Sequence, residues 1–295
     1  MTNSTDIAPT KTHRGENFPV ASLLIAPRHR ATILAFYRFA RAADDIADHP
    51  TLAAHDKLAR LDLLEHALLG KTDAAVDALP LRQALGENNL PARHAQDLLT
   101  AFRMDVTKLR YDTFDELMGY CTFSAMPVGR FVLDVHSEAR STWPASDALC
   151  SALQIINHLQ DCGKDYRALD RVYIPRDTMA RHGMRVEELR AERASPALRA
   201  CVGELAGRTS GLLHQAAPFG MLVEDLRLAL EVSVTQKLAV TLVALLMRRD
   251  PLCERVHLSS VQAAMHAAGT IAAVLPRRLI RPSARPNRDA RASGP

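Results

Sequence analysis

The segment RFARAADDIADH, from Arg38 to His49, holds Asp44 and Asp48 four residues apart. In a helix that spacing stacks the two carboxylates one turn apart on one face, and Tyr37 and Arg41 extend the same stripe. A second stripe lies in ALCSALQIINHLQDCGKDY, Ala148 to Tyr166, where Gln154, Asn157, Asp161 and Asp165 follow one another at spacings of three, four and four. Leu149, Leu153, Ile155, Ile156 and Leu159 surround that polar ladder with apolar surface, so it must face a ligand, a cavity or another polar group. Facing carboxylates on two helices suit Mg²⁺, which takes oxygen ligands, keeps several waters and is completed by substrate phosphates. Two plainer readings stand beside this one. A solvated acidic helix end beside Pro50 would account for the first stripe, and a satisfied buried network for the second. Histidines at metal spacing are missing from both, which disfavours zinc or iron. Neither GxGxxG nor a Walker lysine occurs, so a phosphate would be held through metal and Arg, and no nicotinamide cofactor is expected. Nucleophile-elbow motifs are also missing.

Most of the 295 residues carry helical period, with no convincing run of alternating strand residues. Only 13 glycines and 5% aromatics argue against an all-β sandwich or barrel, and 47% hydrophobic with 24% charged residues is globular composition. Helices are expected over 27–48, 52–69, 91–109, 114–137 (kinked by Pro127 and Gly129), 145–166, 196–217, 223–247 and 259–275, with loops over 70–80 and 167–186. The fold class is therefore all-α, in one domain over 16–275, between a flexible N-terminus at 1–15 and a disordered basic tail at 276–295.

The formal charge of +4 is uneven. Residues 276–295 hold six Arg and one Asp, a net +5, leaving 31 basic and 32 acidic residues in the body. That pattern gives no nucleic-acid footprint, but the tail could be drawn to an anionic bilayer, where each Arg contributes about 1 kcal/mol. Five scattered cysteines without CxxC spacing read as reduced thiols. An N-terminus without an apolar h-region and the absence of an 18-residue apolar run imply a cytoplasmic protein, at most peripheral to the inner face of the membrane.

Five segments in order, GENFPVASLL, FYRFARAADDIAD, YCTFSAMPVGR, LQIINHLQDCGKD and RVYIP, resemble the squalene/phytoene synthase family of head-to-head prenyl synthases over roughly Glu16 to Asp250. Asp44 and Asp161 lie 117 residues apart, in keeping with the family's two aspartate-rich helices. Within the family, the opening, the alanine-rich acidic segment and YCTFSAMPVGR resemble the bacterial hopanoid-pathway branch that forms hydroxysqualene. Glu16-Asn17 and Ala40-Arg41 stand where the other branches show Ser-Phe and Cys-Arg.

The resemblance implies an isoprenoid-synthase-type helical fold around a lipophilic cavity and a prenyl diphosphate substrate. By carry-over, Asp44, Asp48, Asn157, Asp161 and Asp165 hold Mg²⁺ and the diphosphate, with Asp45 as a neighbour. Arg41 and Arg171 contact diphosphate oxygens, and Tyr173 closes over them. Tyr37, Tyr120 and Gln154 line the reacting end, and Asn17 falls among the substrate-binding positions. The implied reaction is ionisation of presqualene diphosphate, rearrangement of the carbocation beside Tyr37 and Tyr120, and capture of one water. Condensation of two prenyl diphosphates to presqualene diphosphate, dehydrosqualene or phytoene is the alternative, and a non-catalytic binding or assembly protein of the same fold a second. Other enzymes of squalene synthesis are possible partners. Two departures stand out: Gln160 replaces an Arg common in relatives, and CERVHLSSVQAAMHAAG lacks the expected basic motif.

Overall fold

Pro27 occupies the first turn of α1 (Pro27–Ala47), where its missing N–H costs nothing. The computed structural model describes residues 24–280. α1 buries Ile33, Phe36, Phe39, Ala43 and Ala47, which leaves the stripe of Tyr37, Arg41, Asp44 and Asp48 on the adjoining face. α2 (Ala54–Leu68), α3 (Leu79–Asn88) and α4 (Arg93–Thr107) cover that apolar side. Together the four helices and Phe131 enclose one apolar cluster, with the Phe36 and Phe131 rings stacked at 4.0 Å.

A second, larger cluster is built on α7 (Trp143–Leu169). This 27-residue helix buries Leu149, Ile155, Ile156 and Leu159 against α9 (Pro196–Ala216) and α11 (Leu226–Leu246). α5 (Phe114–Ser124) and α6 (Met126–Val135) close the near side, and short α8 (Arg176–Arg181) and α10 (Phe219–Leu222) complete the corners. α12 (Ser260–Ile280) lies on α11 and buries no residue fully. Its Arg278 guanidinium donates to the carbonyls of Met221, Val223 and Glu224, tying it to the end of α10. No strand occurs among the described residues, only an isolated parallel bridge between Arg110 and Val172. The all-α expectation holds.

Several boundaries differ from the sequence reading. The expected kinked helix over 114–137 is two helices, broken at Ala125, because the donor-less Pro127 begins a new first turn. The 70–80 loop gives way to α3, which Pro80 opens and Asn89, at φ 52°, ends in the left-handed conformation. The 167–186 loop contains α8. The 276–295 tail is not wholly irregular, since Pro276 to Ile280 continue α12. The expectations for 1–15, Asn17 and 281–295 lie outside the described residues. α11 is, among the described residues, the one helix long and apolar enough to cross a bilayer, with 44% of its apolar window buried inside the protein.

Candidate active site

The two apolar clusters meet along a seam between α1 and α4 on one side and α5 and α7 on the other. A cavity of ≈ 330 Å³ opens there. From α1 it is lined by Tyr37, Arg41, Asp44 and Asp48, and from α7 by Gln154, His158 and Asp165. Tyr120 of α5, Asp105 of α4, and Arg171 and Tyr173 just beyond α7 complete the polar wall. Leu98, Ala101, Phe102 and Leu169 supply apolar surface.

The carboxylates converge with like charge. Burial and the neighbouring Asp48 push Asp44 up to about 7, against the pull of Arg41. Burial and Asp161 push Asp165 up to about 7 as well. Arg41 Nη1 donates to Asp44 Oδ2 at 2.7 Å, and its Nη2 to Asp45 Oδ1 at 2.5 Å. Asp45 thus faces Arg41 and is not in the cavity wall. Asn157 and Asp161 are not in the wall either, although Asp161 acts electrostatically on Asp165.

Arg171 joins the two halves of the site. It is buried, and its Nη1 donates to Asp48 Oδ1 at 2.6 Å, while Nε donates to the carbonyl of Asp105 at 3.0 Å and Nη2 to that of Ala47 at 3.3 Å. Burial alone would weaken its protonation, but Asp105, Tyr173 and Asp48 hold it above its ordinary value. Backbone pairing sets its position: Val172 N–H donates to Leu109 O at 3.0 Å and Arg176 N–H to Tyr111 O at 2.9 Å.

The cavity also has an aromatic wall. Tyr120 OH donates to Asp105 Oδ2 and Tyr173 OH to Asp105 Oδ1, both at 2.9 Å. His158 stacks on Tyr173 at 3.4 Å between centroids, and Tyr111 packs 5.5 Å from Tyr120 and 5.7 Å from Tyr173. Burial holds His158 down at about 3, so its ring is neutral, with one Nε2 contact of 3.1 Å to Gln154 Nε2. Burial also raises both phenols well above their ordinary value. Asp105 is pushed up to about 6 by burial, opposed by Arg171 and the two phenols.

Asp105, Tyr111 and His158 were missed in the sequence. Asp105 looks like any surface charge in RMDVT, and its partners lie 15 and 68 residues away. The one available signal was compositional, since Tyr111 is one of only five tyrosines. Gln160, the departure noted in the sequence, is buried and donates to the carbonyl of Val256, away from the cavity wall.

Among the described residues no three His, Cys, Asp or Glu side chains already form a metal cage. The oxygen-only donor set and the crowding of like charge at Asp44, Asp48 and Asp165 nevertheless fit a hard cation that keeps its waters and shares a phosphate.

The sequence profile of the squalene/phytoene synthases matches residues 11–262, and the chain belongs to that family. It is 55% identical over 278 residues to the hydroxysqualene synthase of Rhodopseudomonas palustris, covering 94% of this chain and 95% of that protein. Similarity to phytoene synthase 1 of Solanum lycopersicum is weaker, 31% over 191 residues, 61% of this chain and 46% of the other. Among solved structures, the squalene synthase HpnC from Alicyclobacillus acidocaldarius superposes with a TM-score of 0.68 at 32% identity, over 78% of this chain and 87% of that one.

Proposed function

We propose that the chain converts presqualene diphosphate to hydroxysqualene, with Mg²⁺ held at the acidic mouth of the cavity. The observation that carries this reading is the likeness, over nearly the full length of both chains, to a hydroxysqualene synthase, whereas the likeness to a phytoene synthase covers less than half of that protein. Residues 16–275 form the catalytic unit in this reading.

When bound, Mg²⁺ supplies Lewis-acid stabilisation of the departing diphosphate. Asp44, Asp48 and Asp165 would hold it from the cavity wall, with Asp161, Asn157 and Asp45 in supporting positions. Arg41 and Arg171 turn toward diphosphate oxygens, which costs each an existing ion pair with Asp44 or Asp48. Tyr37, Tyr120 and Tyr173 present ring faces and dipoles to the carbocation left behind, and the apolar seam shields it from bulk water. Gln154 positions His158 beside Tyr173. Asn17 is assigned to substrate binding from sequence. The Arg side chains of residues 276–295 other than Arg278, which is tied to the end of α10, draw the enzyme to the anionic inner face of the cytoplasmic membrane, where its lipid substrate and the neighbouring enzymes of the pathway reside.

Purified protein with Mg²⁺ is supplied separately with presqualene diphosphate and with farnesyl diphosphate, and the lipid product identified by mass spectrometry. Hydroxysqualene from the first alone supports the reading. Presqualene diphosphate or dehydrosqualene formed from farnesyl diphosphate, with no alcohol from presqualene diphosphate, refutes it.

A further inference from the structure

Capture of water by a carbocation leaves a proton to be removed, and the tyrosine-lined wall of the cavity contains a path for it. Asp105 accepts a hydrogen bond on each carboxylate oxygen, from Tyr120 on Oδ2 and from Tyr173 on Oδ1. A phenol that has committed its proton to a carboxylate turns its lone pairs the other way, so each hydroxyl oxygen is an acceptor on its free side. Both oxygens belong to residues that line the cavity. One turn beyond Tyr120, on the same face of α5, Ser124 also lines the cavity, and its hydroxyl is without a hydrogen-bond partner. A water beside Tyr120 therefore meets an acceptor and a hydroxyl that is not otherwise engaged.

Resting on the reading above, we propose that Asp105 is the terminal proton acceptor for water capture, reached through the Tyr120 hydroxyl. As the water oxygen forms its bond to the cationic carbon, its proton passes to Tyr120 Oη while the Tyr120 proton passes to Asp105 Oδ2. The diphosphate has already departed with the electron pair of its C–O bond. One alcohol and one protonated carboxyl result, with no change of oxidation state. His158, held down at about 3 by burial, is a weaker proton acceptor than Asp105.

The groups acting on Asp105 come from each neighbouring element: Tyr120 of α5, Tyr111 of the preceding connection, Arg171 and Tyr173 after α7, and Asp44 and Asp48 of α1. Burial places Asp105 at about 6, so it is ionised above that pH and can still take up a proton. Arg171 donates to its carbonyl and leaves both carboxylate oxygens to the phenols.

The test uses the full chain with Mg²⁺ and presqualene diphosphate, following diphosphate release together with the ratio of alcohol to alkene product. General-base contributions of about 10²–10⁴ lead us to expect that Asp105→Asn lowers that ratio at least about tenfold, with diphosphate release within about threefold of the parent. Tyr120→Phe should shift the ratio in the same direction. In the parent the alcohol fraction should fall as pH drops through about 6, and in Asp105→Asn it should be flat. A variant with the parent's ratio and pH dependence assigns the proton to the departed diphosphate and overturns the relay. Should Asp105→Asn fail to fold, Tyr120→Phe and the parent's pH profile decide the matter by the same criteria. If the parent forms no alcohol from presqualene diphosphate, both the functional reading and the relay fall.

Discussion

Arg171 Nη1 lies 2.6 Å from Asp48 Oδ1 across 123 residues of chain, and this contact ties the end of α1 to the segment after α7. The same guanidinium also satisfies the carbonyls of Asp105 and Ala47, so one side chain binds α1, α4 and the post-α7 segment together. Removing it leaves two buried carbonyls without that donor and Asp48 without its partner. Arg171→Ala should therefore lose about 2 kcal/mol of stability, moderated because Asp48 is partly exposed, as urea unfolding would measure. Arg171→Lys should recover little activity, since one ammonium cannot span three acceptors arranged around a planar fork.

The acidic mouth should be a source of instability when no cation is bound. Asp165 is raised from 3.8 to about 7 in the folded state, so the fold binds a proton that the unfolded chain has released. Its contribution is complete below pH 4 and is lost as pH rises through 7. Metal-free Asp165→Asn should thus be more stable than the parent at pH 8, on the order of 1–2 kcal/mol, with the gap closing below pH 4. Turnover should vanish while the helical circular dichroism stays unchanged. A loss of stability at pH 8 would contradict the electrostatic account.

His158 works in the opposite sense. Its folded value of about 3 lies below the ordinary 6.5, so the unfolded chain takes up a proton that the fold refuses. This stability is complete above 6.5 and declines toward pH 3, with a slope of up to about 1.4 kcal/mol per pH unit. His158→Gln should remove that slope: its stability relative to the parent rises as pH falls from 7 to 4. Parallel acid unfolding curves for the two proteins would show that His158 carries no such term.

Gly129 of α6 packs directly against α7. A Cβ there would collide with Ser146 Oγ and sit 2.6 Å from Cys150 Sγ. Both atoms belong to short side chains on a long, well-packed helix and have little room to yield. Gly129→Ala should cost about 1–3 kcal/mol by overpacking, despite the gain in helix propensity, and thermal denaturation would register it.

The acidic stripes of α1 and α7 were legible because helical period alone places Asp44 beside Asp48, and Gln154 above Asp165. The opening of α1 was legible in Pro27. What periodicity could not supply was which polar groups meet across elements. Asp105 sits on α4 among ordinary surface charges, and only the packing of α5 and the post-α7 segment brings Tyr120 and Tyr173 to it. Asn157 and Asp161 illustrate the converse: they share the α7 stripe, yet neither belongs to the cavity wall that Gln154, His158 and Asp165 line. α3 was hidden by Pro80 and Gly86, which resemble loop residues until the Pro is seen in the first turn.

The single bridge between Arg110 and Val172 gives a helical protein one residue pair with the geometry of a strand. Side chains alternate along such a segment, so Arg171 and Tyr173 face the cavity together while Val172 turns the other way into the core. Exchange of Tyr173 edits the chemistry while the main chain keeps its own hydrogen bonds, whereas exchange of Arg171 also loosens the ties to α1 and α4. Insertion or deletion of one residue between 169 and 173 would do something else, swinging valine into the cavity and burying the guanidinium in hydrocarbon. Over evolutionary time this stretch should hold its length more strictly than the letter at position 173.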